Sequence, residues 1–271
     1  MTPTQRTIKF LAIGLAIFLI ICIISGIIST IGVLGGFIDS EAVTGNIKTY
    51  SVSDDIKALN IQISAADFTI KQGKAFSVES NLKHLTVTDD NGTLTIKEAR
   101  KFGTAYTEAV LTLYIPADTE FEKVNITTGA GRFKVENLAA EKLYLKLGAG
   151  EVEIDTLVAN SSADIEGGAG KVTISDGVLH DLDLEIGVGQ LNLTSALSGE
   201  SELDLGVGES NITLIGSRDD YKVDIDKGVG NISVEGTNIS NTKGFGDGNN
   251  EVDINGGVGS ISVKFKQPTT K

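Results

Sequence analysis

A glycine tripeptide recurs at a nearly constant spacing through the second half of this sequence. It is Gly-Ala-Gly or Gly-Val-Gly, and its first five occurrences lie 19 or 20 residues apart. The glycines are Gly129, Gly131, Gly148, Gly150, Gly168, Gly170, Gly187, Gly189, Gly206, Gly208, Gly228, Gly230, Gly257 and Gly259. A period of this size is typical of repeat proteins, in which one small unit stacks on copies of itself. We therefore interpret these glycines as structural.

The residues around each tripeptide alternate between apolar and polar, which is the pattern of a half-buried strand. In one unit the apolar positions are Leu145 and Leu147 before the glycines, and Val152 and Ile154 after them. The two pairs differ in parity, so a regular strand would turn one pair to solvent. Both can face one core only if the chain bends or bulges at the glycines. The residue between the glycines is always Ala or Val, which predicts an inward position at a crowded corner.

Each unit therefore contains two short strands, a glycine corner and a less regular closing turn. These parts fit one coil of a parallel β-solenoid, in which successive coils stack about 4.8 Å apart. The sequence predicts an all-β, β-helix-like solenoid in residues 122–265, with one coil for each of the seven tripeptides, stacked in chain order. The alternative is an antiparallel meander in which each unit is a hairpin or a corner of a β-sandwich.

Both ends of a solenoid expose unpaired strand edges and need protection. Residues 56–121 are predicted to form an N-terminal β cap, in which Asn91-Gly92 marks a hairpin between two alternating runs. Ser64-Ala65-Ala66 has the form of a degenerate glycine corner. At the other end, Lys264 to Pro268 are expected to blunt the last strand, and residues 266–271 to form a tail.

The N-terminal part of the chain has a different composition. Residues 10–38 contain no charge and exceed the roughly 20 residues that a membrane-spanning helix needs. Arg6 and Lys9 precede this segment, so the positive-inside rule places residues 1–9 in the cytosol and the rest outside. We expect one transmembrane helix, a linker at residues 39–55 and an extracytoplasmic domain.

A cleaved signal peptide is the alternative to this anchor. Its apolar core would span about 7–15 residues, which is shorter than this segment, although cleavage near Ser25-Gly26 or Gly35-Gly36 stays open. A lipoprotein signal is disfavoured, because Ile21 precedes Cys22 where a small residue is required. Cys22 is the only cysteine, so the exported part can form no disulfide framework.

The charge of the chain restricts its partners. The net charge is −13, and no acidic residue precedes Asp39, so the exported part is more acidic than the chain as a whole. Nucleic acid is excluded as the expected partner, because its binding requires a basic footprint. Direct adhesion to anionic lipid or wall polymer is disfavoured unless cations mediate it.

Carboxylates recur at two fixed offsets before the glycine corners. The residues four and two positions before the first glycine are Asp164 and Glu166, Asp183 and Glu185, Glu202 and Asp204, Asp224 and Asp226, and Asp253 and Asn255. Stacked coils would align them in two columns, where each close pair costs on the order of 1 kcal/mol. The columns are either a solvated face that keeps the protein soluble or a surface that collects divalent cations or a cationic partner. Oxygen ligands suit calcium, but open strands do not wrap an ion.

Other calcium motifs are not met. A calcium β-roll places Asp after Gly-Gly-x-Gly-x, where this chain has Val172 and Ile261. Asp247, Asn249 and Glu251 alternate in the insertion before the last corner, without the spacing of an EF-hand. We expect a loop there that is suited to a specific contact.

Catalysis is not expected. His84 and His180 are the only histidines, and neither has a neighbouring Ser, Cys or metal ligand in the sequence. The carboxylates form no asymmetric cluster of the kind that cleaves glycosides. We predict that the protein is not an enzyme and holds no cofactor, with a divalent cation as the one exception left open.

Taken together, these features resemble a known bacterial family. The resemblance rests on the anchor, the Ser64-Ala65-Ala66-Asp67 strand pair, the strand Leu111-Thr112-Leu113-Tyr114-Ile115-Pro116 and the serial glycine corners. The family is called "putative adhesin", a domain of unknown function with β-strand repeats that includes LiaG-like membrane proteins of Gram-positive envelope-stress operons. The resemblance covers roughly residues 50–265, implies a fold rather than an activity, and supplies no catalytic residues.

We therefore expect a single-pass cell-membrane protein with an extracytoplasmic, adhesin-like binding or structural module, linked to envelope stress. Its partners are the membrane, through the N-terminal helix, and an envelope or extracellular molecule. The alternative function is a scaffold that binds cations or cationic peptides on its acidic face.

Overall fold

The structure is a computed structural model. It describes residues 44–99, 108–226, 228–239 and 242–268, without the side chains of residues 242 and 243. The predicted cytoplasmic tail and transmembrane helix, residues 1–38, lie outside the described residues, as does part of the linker. None of the helical structure within the described ranges is long and apolar enough to cross a membrane.

The described residues form a single sheet system of sixteen strands. The strands are β1 Thr44–Ser51, β2 Ala58–Ala65, β3 Asp67–Gly73, β4 Ser77–Leu82, β5 Leu85–Asp90, β6 Thr93–Glu98, β7 Val110–Pro116, β8 Glu120–Ile174, β9 Gly177–His180, β10 Leu182–Ser198, β11 Glu200–Ile215, β12 Tyr221–Asp226, β13 Val229–Val234, β14 Thr237–Ile239, β15 Thr242–Phe245 and β16 Asn250–Lys266. A short 3₁₀ helix occupies Arg218–Asp220. The longest strands run through the glycine corners without a break.

A complete coil contains three strand segments, one more than the sequence predicts. In the coil that ends at Asp181, residues 163–167 form side 1, residues 171–174 form side 2, and Gly177–His180 form side 3. Each side pairs in parallel with the same side of the neighbouring coils. The all-β, solenoid-like prediction is confirmed, and the antiparallel meander is wrong for the coils.

The core is one continuous apolar cluster that receives side chains from all three sides. Leu184 on side 1, Leu193 on side 2 and Leu197 on side 3 are each at most 2% exposed. Near the N-terminal end, Phe68 stacks on Phe133 with ring centroids 4.9 Å apart. The apolar residues before a glycine corner and those after it therefore both face the same core, although they differ in parity along the chain.

The two glycines of a corner are required for different reasons. A Cβ on the first glycine, as at Gly187, would lie 2.6 Å from the carbonyl oxygen of Gly168 in the preceding coil. The second glycine, as at Gly189, has a φ of +144°, and its Cβ would lie 1.8 Å from the oxygen of Gly170. Close approach of two coils therefore excludes a side chain at both positions, and the backbone angle is a further reason at the second.

The residue between the glycines points outward, not inward as predicted. Val188 is 55% exposed and Val229 is 39% exposed. A Cβ atom on either glycine would point along the stack, toward the neighbouring coil. The side chain between the two glycines points away from the corner instead. The result is a stripe of exposed or half-exposed small apolar residues along this corner: Ala130, Ala149, Ala169, Val188, Val207, Val258 and Val229.

The C-terminal coils do not stack in chain order. β16 pairs in parallel with β11 over residues 251–266. On its other side, β16 pairs in parallel with β12 and then with β13. The last coil in the chain therefore lies inside the stack, and the coil before it lies outside. The expectation that Lys264 to Pro268 blunt a terminal edge is wrong, because β12, β13 and the antiparallel strands β14 and β15 cover that end.

The N-terminal end has the mirror-image arrangement. β2 and β3 form a coil on β8, with Ala65 in register with Ala130, so Ser64-Ala65-Ala66 does occupy a corner position. β6 and β7 form an outer coil on β2 and β3, although they come later in the chain. Only the antiparallel strands β1, β4 and β5 act as a cap, through pairing with one another and with the outer coil. The predicted hairpin is β5–β6, with positive φ at Asn91 and Gly92.

Candidate functional site: an acidic ladder on side 1

The carboxylates before the glycine corners lie in register on the outer surface of side 1. Asp164 pairs with Asp183 and Glu166 with Glu185, and the same alignment continues to Glu202. We call the aligned set the acidic ladder: Asp164, Glu166, Asp183, Glu185, Glu202, Asp204, Asp253, Asn255, Asp224 and Asp226. Parallel strands are about 4.8 Å apart, so every ladder carboxylate except Asp226, whose neighbour is Asn255, has another carboxylate in an adjacent coil.

The inserted coil changes the order of the ladder. Asp253 and Asn255 come between the Glu202–Asp204 pair and the Asp224–Asp226 pair. The Asn255 side-chain amide donates hydrogen bonds to Glu202, at 3.1 Å, and to Asp204, at 2.8 Å. Asn255 is the one neutral member of the ladder, and it lies between Asp204 and Asp226 of the neighbouring coils. Its amide donates to acceptors that another carboxylate would repel.

The environment of Asp164 shows the cost of this alignment. Its side chain is half-buried. Desolvation by burial, followed by the negative charges of Asp183 and Glu166, raises the pKa of Asp164 above its ordinary value, and Lys146 partly opposes this. Burial and like charges both disfavour the ionised form of a carboxyl group. At Asp164, burial and the neighbouring carboxylates therefore both oppose ionisation.

Among the described residues, one lysine forms an ion pair with the first coil of the ladder, and a second forms an ion pair beside it. Lys146 donates a hydrogen bond to Glu166, and this contact raises the pKa of Lys146. Lys222 donates to Glu251 at 2.7 Å, beside the ladder, and its pKa is raised in the same way. The ion pairs among the described side chains leave the central rungs of the ladder without a lysine or arginine partner.

Side 2 is built differently, and its ion pairs lie mostly in the coils that precede the ladder. There Arg132 lies 3.7 Å from Asp67 and 3.8 Å from Glu151, and Lys171 lies 3.5 Å from the other oxygen of Glu151. Further along, Asn211 donates to Asn192 at 3.1 Å. On side 2, opposite charges therefore alternate from Asp67 to Lys171 and amides follow in the later coils, whereas like charges repeat on side 1 from Asp164 onward.

The ladder does not present a preformed metal site. Its carboxylates lie on open strands, and no three acidic or histidine side chains converge on one point within the described ranges. These carboxylates include the residues that the sequence offers as cation ligands: Asp164, Glu166, Asp183, Glu185, Glu202, Asp204, Asp224 and Asp226. Calcium in proteins takes six to eight oxygen ligands, so the ladder fits loosely held cations better than a caged ion.

The insertion before the last corner does not gather its polar residues. Thr242–Phe245 form β15 against β12, and the Gly248 amide donates to the Tyr221 carbonyl at 3.1 Å. Asp247 and Asn249 are exposed, whereas Glu251 lies in β16 and pairs with Lys222. These three residues do not act as a calcium-binding set.

Sequence reasoning missed one polar contact. His180 Nδ1 lies 3.0 Å from Ser198 Oγ, and His180 Nε2 lies 3.5 Å from Asp181 Oδ2. The coil period is the signal that could have found it, because His180 and Ser198 are in register on side 3. The Glu200 amide donates to the other Asp181 oxygen at 3.0 Å, so this cluster closes the turn between coils.

Comparison with known proteins gives the family. Solved structures with related folds include a "putative adhesin" from Bacteroides fragilis, at 13% identity over 83% of this chain and 100% of that one, with a TM-score of 0.48. A "putative adhesin" from Parabacteroides distasonis has 14% identity, 84% and 100% coverage, and a TM-score of 0.41. These similarities are too low to carry an argument about function. A search of curated proteins found no match.

The family model described as Toastrack DUF4097 matches residues 56–266. This match confirms the resemblance to an adhesin-like domain of unknown function. Because it spans most of the 271 residues, the chain belongs to the Toastrack DUF4097 family.

Proposed function

We propose that this protein is an adhesin-like binding module of the cell envelope, and that the acidic ladder is its binding surface for a cationic partner. The observation that carries this proposal is the contrast between the two sides. On side 2, charges of opposite sign alternate from Asp67 to Lys171, whereas side 1 from Asp164 onward repeats carboxylates that the described residues leave uncompensated at the centre. A bound polycation would supply the missing counter-charge along the whole ladder.

The expected partner carries repeated positive charges. An extended lysine- or arginine-rich peptide has side chains on one face about every 7 Å, which matches the two carboxylates of one coil when the peptide lies along a strand. A peptide that crosses the strands instead meets carboxylates about 4.8 Å apart, which its long side chains can reach. Complementary charge patterns of this kind accelerate association and are sensitive to salt. A cationic peptide that attacks the envelope would have this chemistry, which is how we connect the protein to envelope stress.

The binding test uses the full chain in a neutral detergent and an oligolysine peptide as the probe. The ladder variant combines Asp183→Asn, Glu185→Gln, Glu202→Gln and Asp204→Asn. The matched control removes the same charge from side 2 through Glu136→Gln, Glu151→Gln, Glu153→Gln and Glu209→Gln. Calorimetry should show affinity lost in the ladder variant and retained in the control. Equal losses would mean that only total charge matters, and binding insensitive to salt would point to another surface.

Divalent cations are the second candidate ligand, and the same samples test them. Titration with calcium and with magnesium separates the two ideas, because loosely held cations would bind in the millimolar range. No heat in that range, together with intact oligolysine binding, would remove the cation function and keep the peptide function.

We also propose that residues 10–38 anchor the protein in the cell membrane with the solenoid outside. This rests on the uncharged length of that segment and on the preceding Arg6 and Lys9. The protein should remain in the membrane fraction after an alkaline wash, and protease added to intact cells should remove the solenoid. Recovery in the culture medium would indicate a cleaved signal peptide instead.

A further inference from the structure

The coil formed by β16 is held between two neighbours that the chain builds before it. β11 binds one edge of β16 over residues 251–266, and β12 and β13 bind the other edge over 250–255 and 258–263. β16 is also the last strand that the structure describes. Removing it would open a cleft with a backbone edge on each wall.

Both walls of this cleft are shaped for a strand with a glycine corner. A Cβ at Gly257 would lie 1.9 Å from the oxygen of Gly206, and a Cβ at Gly228 would lie 1.9 Å from the oxygen of Gly257. The corner of β16 therefore fits between the corners of the two neighbouring coils. An occupant of the cleft must carry glycines at this spacing and inward apolar residues such as Val252 and Ile254, which are buried here.

The polar contacts of β16 are just as specific. Asn255 donates to Glu202 and Asp204, Lys222 pairs with Glu251, and the Phe265 amide donates to Glu235 at 2.6 Å. Each of these contacts would be reproduced by the same segment from another copy of the chain. A foreign strand would have to match the corner, the core and these polar partners together.

The connection into β16 is short and rich in glycine. β15 lies on the outer edge of β12, whereas β16 lies on its inner edge, so residues 246–249 cross over the start of β12. Gly246 has a φ of +83°, and its Cβ would lie 2.1 Å from the Tyr221 carbonyl oxygen. Rotation in these few residues would allow β16 to leave as a unit, while β12 stays paired with β15 and β13 with β14.

We propose that Asn250–Lys266 is an exchangeable strand, which can leave its own molecule and fill the cleft between β11 and β12–β13 of a second copy. Exchange of an identical element retains the contacts of the closed molecule, so it is a low-cost route to a dimer. Strand addition of this kind obtains its affinity from main-chain hydrogen bonds and its selectivity from alternate side chains. The proposal does not depend on the acidic ladder having a ligand.

A pair of single-cysteine chains tests the exchange. Both full-length copies carry Cys22→Ser, one carries Glu209→Cys and the other, with a size tag, carries Ser260→Cys. Glu209 and Ser260 are in register across β11 and β16, within the usual reach of a disulfide. After concentrated incubation in sub-denaturing urea, dilution and oxidation, we expect a covalent heterodimer.

The control mixes the Glu209→Cys copy with a Gln190→Cys copy. Gln190 is also in register with Glu209, but it belongs to a coil in the middle of the stack. Exchange through the C-terminal strand predicts no heterodimer in this mixture. Equal yields from the two mixtures would overturn the proposal, because they would show random collision or general unfolding.

A second pair of substitutions tests what holds the strand. Asn255→Asp replaces a donor to Glu202 and Asp204 with a like charge, so exchange should become roughly tenfold faster, which corresponds to about 1.4 kcal/mol. Ser262→Asp adds the same charge on side 2, in register with Asn211, and should change the rate much less. If both variants exchange at the wild-type rate, Asn255 does not latch the strand, and the assignment of this contact fails.

Discussion

At the scale of single residues, glycine substitutions can distinguish two sources of destabilisation. One is an unfavourable backbone angle, and the other is a close contact with the neighbouring coil. We expect Gly189→Ala to destabilise the protein by about 3 kcal/mol or more, because its Cβ would lie 1.8 Å from the Gly170 oxygen. Gly236→Ala is the matched control, since Gly236 has a φ of +74° but no atom within 4 Å of the point that a Cβ would occupy. Its cost should be about 1–2 kcal/mol, which is the penalty for an L-residue in the left-handed region.

Urea denaturation of the two variants measures this difference. A Gly189→Ala midpoint close to that of Gly236→Ala would mean that the stacked coils separate to admit the methyl group. Spacing alone locates the glycines of the tripeptides, but it does not locate Gly177, whose Cβ would lie 2.0 Å from the Leu157 carbonyl oxygen. The sequence did not predict that the side chain between the two glycines points outward. That direction depends on where a Cβ atom on each glycine would point in the folded corner.

Asp164 provides a test of the ladder's electrostatics. Its pKa is raised in the folded state, first by burial and then by Asp183 and Glu166. A raised carboxyl pKa means that stability is fully present while the group is protonated, below its unfolded pKa, and is lost as the pH rises through the folded pKa. Asp164→Asn should therefore raise the melting temperature at pH 7, and this gain should shrink below about pH 4.

The control for this prediction is Glu153→Gln on side 2, where Lys134 lies 3.8 Å from the carboxylate. Removing a compensated charge should bring no gain at neutral pH. A stabilising effect that is equal in the two variants, or one that persists at acid pH, would show that the ladder carboxylates do not repel each other measurably.

At the scale of strands, the alternation of charge on side 2 is a property of several stacked strands and not of one ion pair. Arg132→Glu would place a carboxylate between Asp67 and Glu151, which now share Arg132. We expect a loss on the order of 1–2 kcal/mol at low salt, most of which added sodium chloride restores. Arg132→Gln, which removes the charge without reversing it, should cost less and respond less to salt.

Chemical denaturation at two salt concentrations checks this expectation, and a salt-independent loss would indicate lost packing of the arginine stem.

The strands of sides 1 and 2 were predictable because each alternates over several residues. Side 3 was not, because its segments are as short as Gly177–His180 and lie between turn residues such as Asp176 and Asp181. A run of this length shows too little alternation to distinguish a strand from a turn.

At the scale of the whole solenoid, the order of the coils is the feature that sequence could not provide. Each coil with a glycine tripeptide presents the same corner and similar inward apolar positions, so local chemistry allows any of these coils to stack on another. The segment 221–234 would satisfy β11 in much the same way as β16 does. The choice is made by contacts specific to one pairing, such as that of Asn255 with Glu202 and Asp204.

Intramolecular disulfides can distinguish the two orders. In a full chain that carries Cys22→Ser, Asn211→Cys with Ser262→Cys should form a disulfide, because these residues are in register across β11 and β16. Asn211→Cys with Ser233→Cys should not, because Ser233 pairs with the far edge of β16. Two strand spacings amount to about 9.6 Å, which exceeds the reach of a disulfide. The opposite result would mean that the coils stack in chain order, which would also remove the cleft on which strand exchange depends.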